Sequence, residues 1–152
     1  MAFLTAQPID VLALMRDASA ENLGAMAVFV GAVRNHHEGR AVTALSYSAY
    51  EPMAEAECAR IVAEAAARWP VGVRLRHRIG DLAIGDAAVA IIVASAHRNE
   101  AFEACRYVIE EVKRRVPIWK REHYADGTVA WVDPTAPGGV VPGEPGPAAR
   151  PG

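Results

Sequence analysis

Cysteine is scarce in this sequence. Cys58 and Cys105 are the only two, far apart and outside any CxxC or metal-type spacing. That excludes a disulfide scaffold and gives no zinc or iron–sulfur pattern, so no metal is expected. Both fall on the apolar faces of expected helices, where a thiol is buried and inert rather than a redox centre or nucleophile. Apolar residues make up 52% of the chain, yet no run is long enough to span a bilayer. The first residues, Met1 to Thr5, lack a basic region followed by an apolar core, so a soluble cytoplasmic protein is expected. Charge of one sign is also missing: the net value is −2, and any preference for anions must come from local clustering. There is no Gly-rich phosphate loop, nucleophile elbow, HExxH or carboxylate pair. If the chain is an enzyme, its chemistry rests on lysine, arginine and histidine.

What is present is one dense cationic stretch. Five cations (Lys113, Arg114, Arg115, Lys120 and Arg121) fall between positions 113 and 121 with no carboxylate among them. Pro117 splits the run, because proline is not tolerated inside a helix and pushes the preceding residue toward an extended conformation. Lys113 is therefore expected on the last turn of a helix and Lys120 on the strand that leaves it. Two lysines from two elements then converge. Cations on a last helical turn also offset the macrodipole, the role expected of Arg114 and Arg115.

The rest of the 152 residues fits one domain with a real core. A short strand is expected at 3–5 and a helix opening at Pro8, with Val11, Leu12 and Met15 on one side. The run 25–33 is nearly all apolar and reads as a buried strand. Residues 42–50 read as a second strand, antiparallel to the first across a short polar loop. A helix from Pro52 to about Trp69 carries Cys58, Ile61, Val62, Ala65 and Trp69 as its stripe. Residues 73–79 alternate, with Val73, Leu75, His77 and Ile79 on one side and Arg74, Arg76 and Arg78 on the other. A glycine-bounded excursion (80–86) precedes a buried strand (87–94). Asn99 is the expected N-cap of a helix turning Phe102, Cys105, Ile109 and Val112 inward. Strands at 118–124 and 128–132 flank an Asp126-Gly127 hairpin turn. Residues 1–133 form the expected domain. In 134–152, eleven of 19 residues are Pro or Gly, and that tail is read as disordered or loosely docked. The fold class is α+β: one mainly antiparallel sheet with two principal helices.

The polar residues of interest lie where elements end. Arg34 ends the first long strand, and His97 and Arg98 lead into a helix N-terminus, whose free amides favour anions. Together with Lys113 and Lys120 they are expected to gather at one edge of the sheet, as a cationic pocket for a phosphate ester or carboxylate. A lysine crowded by other cations has a depressed pKa, which suits it to act as base or nucleophile.

Five stretches carry a family resemblance: FVGAVRNHHEG (29–39), YSAYEPMAE (47–55), HRIGDLAIGD (77–86), SAHRNEAFEAC (95–105) and KRRVPIWKRE (113–122). In that order they resemble the large, catalytic subunit of molybdopterin synthase, across most of residues 25–132. Ser48 departs from the pattern, standing where the family often has an acidic residue, and the tail follows no pattern of the family. The resemblance implies a β-hammerhead-type fold and an enzyme of molybdenum cofactor biosynthesis. Such a subunit transfers sulfur from the C-terminal Gly-Gly thiocarboxylate of a small ubiquitin-like partner to cyclic pyranopterin monophosphate, forming the molybdopterin dithiolene. It implies no bound cofactor, and a heterotetramer built on a central homodimer. By motif position, Lys113 and Lys120 match the catalytic lysines, and Lys113 is expected nearest the thiocarboxylate carbon. Arg34, His97 and Arg98 match substrate-pocket residues, bordered by Ala32, Val33, Arg121 and Glu122. Sulfur delivered by a partner removes the need for a reactive cysteine.

The competing reading is a small RNA-binding module without catalysis, using the 113–121 cations with Trp119 as a base-stacking aromatic. One aromatic is not a platform, and the net charge opposes it.

Overall fold

The computed structural model describes residues 2–132; the tail, and the expectation placed on it, lie outside the described residues. In chain order the elements are β1 (Leu4–Thr5), α1 (Val11–Ala18), β2 (Ala25–Ala32), β3 (His36–His37), β4 (Arg40–Ala49), α2 (Glu51–Arg68), β5 (Val71–Arg78), β6 (Gly80–Ala83), β7 (Ala87–Ser95), α3 (Arg98–Arg115), β8 (Ile118–Tyr124) and β9 (Val129–Val132). The class is α+β, as expected. None of the helices is long and apolar enough to cross a membrane.

Among the described residues the strands form two sheets rather than one. The first has the order β1-β5-β7-β2; the second has the order β3-β4-β8-β9, with β6 also paired to β4. Two places switch the chain between them. Gly80, at φ 94°, turns the end of β5 into β6, which pairs with β4 at Tyr47↔Gly80; glycine takes this left-handed backbone without a Cβ penalty. Val33 does the same after β2. Its N–H donates to the Asp86 carbonyl at 3.0 Å, its own carbonyl accepts from the Gly85 N–H at 2.9 Å, and its side chain is buried with Leu45, Leu82 and Ala88. So β2 does not pair with β4, contrary to the short-connection expectation. It pairs antiparallel with β7.

The first sheet is covered on both faces. Val73, Leu75, Val89, Ile91 and Val93 pack against α2 and α3, whereas Ala90, Ile92 and Ala94 pack against Leu14 and Ala18 of α1. Helix α1 is capped by Asp10, whose side chain accepts from the Ala13 N–H, and Pro8 lies before the cap rather than in the first turn. On α3 the buried stripe is Ala101, Ala104, Cys105, Val108 and Val112. The small alanines let the helix sit close to the sheet, and Phe102, expected inward, is 65% exposed. The cap of α3 is His97, without a side-chain capping bond, not Asn99. Both cysteines are buried and unpaired, and burial raises both thiol pKa values, that of Cys58 to about 12.

Strand β2 departs most from expectation. It is the outer strand of its sheet, and Val28, Phe29 and Val30 are exposed. An apolar groove of about 520 Å³ runs beside it, lined by Phe29, Phe102, Cys105 and Ile109 among others. An apolar run shows that a strand wants cover, not that its own chain supplies it.

Candidate functional site

The last turn of α3 and the first half of β8 build a cleft. Val112 is buried and anchors the turn; Lys113 follows it. The Val116 N–H closes the helix on the Val112 carbonyl at 3.1 Å, and Pro117 sends the chain into β8, where Lys120 lies opposite Tyr47 of β4. The cleft has a volume of about 40 Å³, an apolar floor of Val112, Val116 and Ile118, and four polar side chains: Tyr47, His77, Lys113 and Lys120. A volume of that order holds a few waters or a carboxylate-sized group. A whole pterin is too large for it.

Each polar group has a defined electrostatic setting. Lys113 is an exposed residue taken whole, but protein atoms crowd round its amine. That desolvation, with the like charge of Lys120 second, lowers its pKa. Lys120 lies 3.9 Å from a carboxylate oxygen of Glu122. Glu122 is only 3% exposed and accepts from His37 Nδ1 at 2.5 Å and the Tyr124 hydroxyl at 3.0 Å. Burial, with Glu122 second, pushes the Tyr47 phenol up to about 12. His77 is 4% exposed; burial brings its pKa down to about 4, and the charge of Lys113 adds to the shift. Beside its two lysines the cleft therefore presents a neutral phenol and a neutral imidazole at neutral pH. It is a slot for a small anionic end group, with fixed cations to stabilise negative charge that develops there.

The other residues singled out from the sequence are not all gathered here. Arg34 is exposed just beyond β2. Since Ala32 pairs with Ala87 and His77 with Val89, Arg34 lies at the same end of the first sheet as Lys113. Ala32 is exposed beside it, whereas Val33 is a core residue. His97 and Arg98 lie at the other end. Helix α3 runs from Arg98 to Arg115, so at 1.5 Å per residue Arg98 and Lys113 are about 22 Å apart along it. Within one chain the five residues do not form one pocket, because a helix puts its two ends far apart. Glu122 is on the Lys120 face of β8. Arg121 projects to the opposite face, since side chains alternate along a strand; its guanidinium carbon lies 5.6 Å from the centre of the Trp131 ring, and its buried Nε has no partner among the described residues. Trp119 shares that opposite face and is half-buried, so it does not offer a stacking surface beside the lysines. Three residues of the site were not singled out from the sequence: Tyr47, His77 and His37. The alternation of 73–79 places His77 in an inward, otherwise apolar row, and that is the available signal.

An α+β subunit with a paired-lysine slot for an anionic end group is the class that the fold and cleft define. A sequence model of the MoaE protein family matches residues 4–115. The chain is 43% identical over 131 residues to a molybdopterin synthase catalytic subunit of Synechococcus elongatus, covering 85% of this chain and 79% of that one. Its structure is similar to that of a molybdopterin synthase from Staphylococcus aureus, with TM-score 0.81 and 40% identity over 86% of this chain and 95% of that one. It is also similar to a chain in a complex of subunits 1 and 2 of the molybdopterin-converting factor from Helicobacter pylori, with TM-score 0.68 and 27% identity over 81% and 84% of the two chains. The chain belongs to the MoaE family.

Proposed function

We propose that this chain is the catalytic subunit of a molybdopterin synthase and that sulfur is transferred at the mouth of the Lys113–Lys120 cleft. The donor is the C-terminal Gly-Gly thiocarboxylate of a small ubiquitin-like subunit; the acceptor is cyclic pyranopterin monophosphate. One observation carries this: the cleft fits a carboxylate-sized end group and presents two lysines to it. Lys113, whose pKa is lowered by the desolvation of its amine and by the like charge of Lys120, is assigned nearest the thiocarboxylate carbon. Lys120, steadied by Glu122, offsets the charge that develops on the carbonyl oxygen. The two-subunit complex from Helicobacter pylori supports a small partner. A cytoplasmic location fits the reading.

The phosphate and pterin need further donors, and here the distance between His97 and Lys113 becomes useful. Edge strand β2 offers unpaired backbone groups and an apolar surface to a second strand. If a second copy pairs its β2 antiparallel along this edge, its residue 25 end lies beside Ala32 of the first copy. Its His97 and Arg98, which flank that end of the sheet, then approach Arg34 and Lys113 of the first. The central homodimer thus assembles Lys113, Lys120 and Arg34 from one copy with His97 and Arg98 from the other, and the small subunits occupy the two outer ends of a heterotetramer.

The test is turnover of cyclic pyranopterin monophosphate to dithiolene by the purified chain with a thiocarboxylated small subunit. Lys113→Ala and Arg98→Ala proteins, each inactive alone, should recover about a quarter of wild-type activity when mixed, because half the dimers are hybrid and each hybrid has one intact site. Turnover without any recovery on mixing would place the five residues' roles within one chain. Absence of turnover in the wild type would overturn the function itself.

A further inference from the structure

The cleft has an acceptor that the sulfur-transfer scheme leaves unused. Lys113 and Lys120 are donors only, and the Tyr47 hydroxyl both donates and accepts. His77 is different. Its Nδ1 lies 2.9 Å from the Arg78 carbonyl oxygen. A carbonyl only accepts, so Nδ1 carries the proton and Nε2 keeps its lone pair. The residue is also held rigidly. Its backbone N–H donates to the Phe3 carbonyl at 2.8 Å, and β7 flanks it on the other side at Val89. Strand β1 is fixed in turn by Glu55, whose carboxylate accepts from the N–H groups of Phe3 and Leu4 at 2.8–2.9 Å. The Tyr47 ring meets the imidazole edge-on, with centroids 5.0 Å apart. Burial keeps this imidazole neutral, so Nε2 does not become a donor at working pH.

A peptide tail entering such a slot brings two kinds of polar group. Its end is an acceptor, suited to the lysines. One peptide bond back, its last amide offers a single N–H, which has to find an acceptor once the slot closes round it, since a buried unpaired donor is costly. We propose that His77 Nε2 accepts a hydrogen bond from the last amide N–H of the partner's tail, fixing the depth at which the thiocarboxylate stops between the lysines. This rests on the reading that the tail enters this cleft. It makes His77 a specificity residue. A tail ending in proline, which lacks that N–H, is rejected whatever its terminal charge.

The experiment uses the full chain and a semisynthetic small subunit in which the last peptide bond is replaced by an ester. The ester removes the N–H and adds no bulk. Wild type should bind the ester-ended partner roughly tenfold more weakly than the amide-ended one. In His77→Phe, which keeps a ring but no acceptor, the two partners should bind alike. His77→Gln should restore part of the discrimination, and Tyr47→Phe should leave it intact. A second measurement needs no variant: the Nε2 nitrogen shift of wild-type His77 should move on adding the amide-ended partner and not on adding the ester-ended one. An ester penalty that persists in His77→Phe, or equal shifts with both partners, overturns the assignment. Either result alongside normal turnover by the wild type leaves the sulfur-transfer reading standing; absent turnover with the amide-ended thiocarboxylate strikes that reading instead.

Discussion

His77 makes a prediction about stability that is separate from its proposed binding role. Its pKa falls from 6.5 to about 4 on folding, chiefly through burial. The unfolded chain takes up a proton at this position as pH drops below 6.5, and the folded chain does not until about 4. The stability this residue contributes is therefore present above pH 6.5 and lost as pH falls through that window. At 1.36 kcal/mol for each pH unit, the difference is about 3 kcal/mol. In a domain of this size that corresponds to roughly 6–12 °C in Tm. The assay is thermal or urea unfolding of wild type and His77→Phe at pH 7 and pH 4. Both proteins begin, just below pH 4.5, to lose the stabilisation of Glu57, Glu64 and Glu111, whose pKa values are lowered by arginine hydrogen bonds. That common loss cancels in the difference between the two. Wild type should fall by about 3 kcal/mol more than the variant. Parallel losses would mean that the imidazole is not held neutral by burial, and the fixed-tautomer argument would go with it.

Lys113→Ala and Lys120→Ala should each lower turnover by ~10²–10³ while the chain stays folded and binds the small subunit; equal losses in Arg114→Ala would point to a diffuse field rather than two placed amines. Arg115 is not the surface cation its sequence position suggested: it joins α3 to α2 through Glu57 at 3.0 Å and Glu64 at 2.6 Å, and bonds Glu111 at 3.1 Å. Arg115→Ala should therefore lower Tm by several degrees, and Arg114→Ala, at 69% side-chain exposure, should hardly change it. The Cys58→Ala, Cys105→Ala double variant should retain sulfur transfer per folded molecule; loss of activity in a folded protein would show that sulfur passes through a thiol of this chain.

The period of the hydrophobic pattern located nearly every element, because side-chain direction along a strand or helix is a local property. The alternation of 73–79 and the stripe on α2 are read directly from neighbours in the chain. Pairing is not local. The loop after β2 looked like a hairpin connection, but its Val33 is buried between Leu45, Leu82 and Ala88, contacts that bring in residues from about twelve to fifty-five positions away. One sheet became two for that reason. The α3 stripe shifted by one position for another: small alanines bring the helix close to the sheet, and an apolar count ranks Phe102 above Ala101 although packing reverses the order.

The site divides along the same line. Lys113 and Lys120 were legible because Pro117 fixes a sharp local change of direction between them, and the cleft follows from that turn. His77 was legible as an inward residue but not as a site residue, since its meaning depends on Lys113, thirty-six residues later on the last turn of α3. His97 and Arg98 are the instructive case. Both were assigned to the pocket by motif position, and the same sequence places them at the start of the helix that ends at Lys113. A helix of this length cannot bring its two ends to one small molecule. Either the motif assignment fails for those two residues or the pocket is completed by a second chain. The exposed, apolar edge of β2 favours the second chain, because the alternate backbone groups along its outer side have no strand partner among the described residues, and such an edge is a ready template for pairing with another chain.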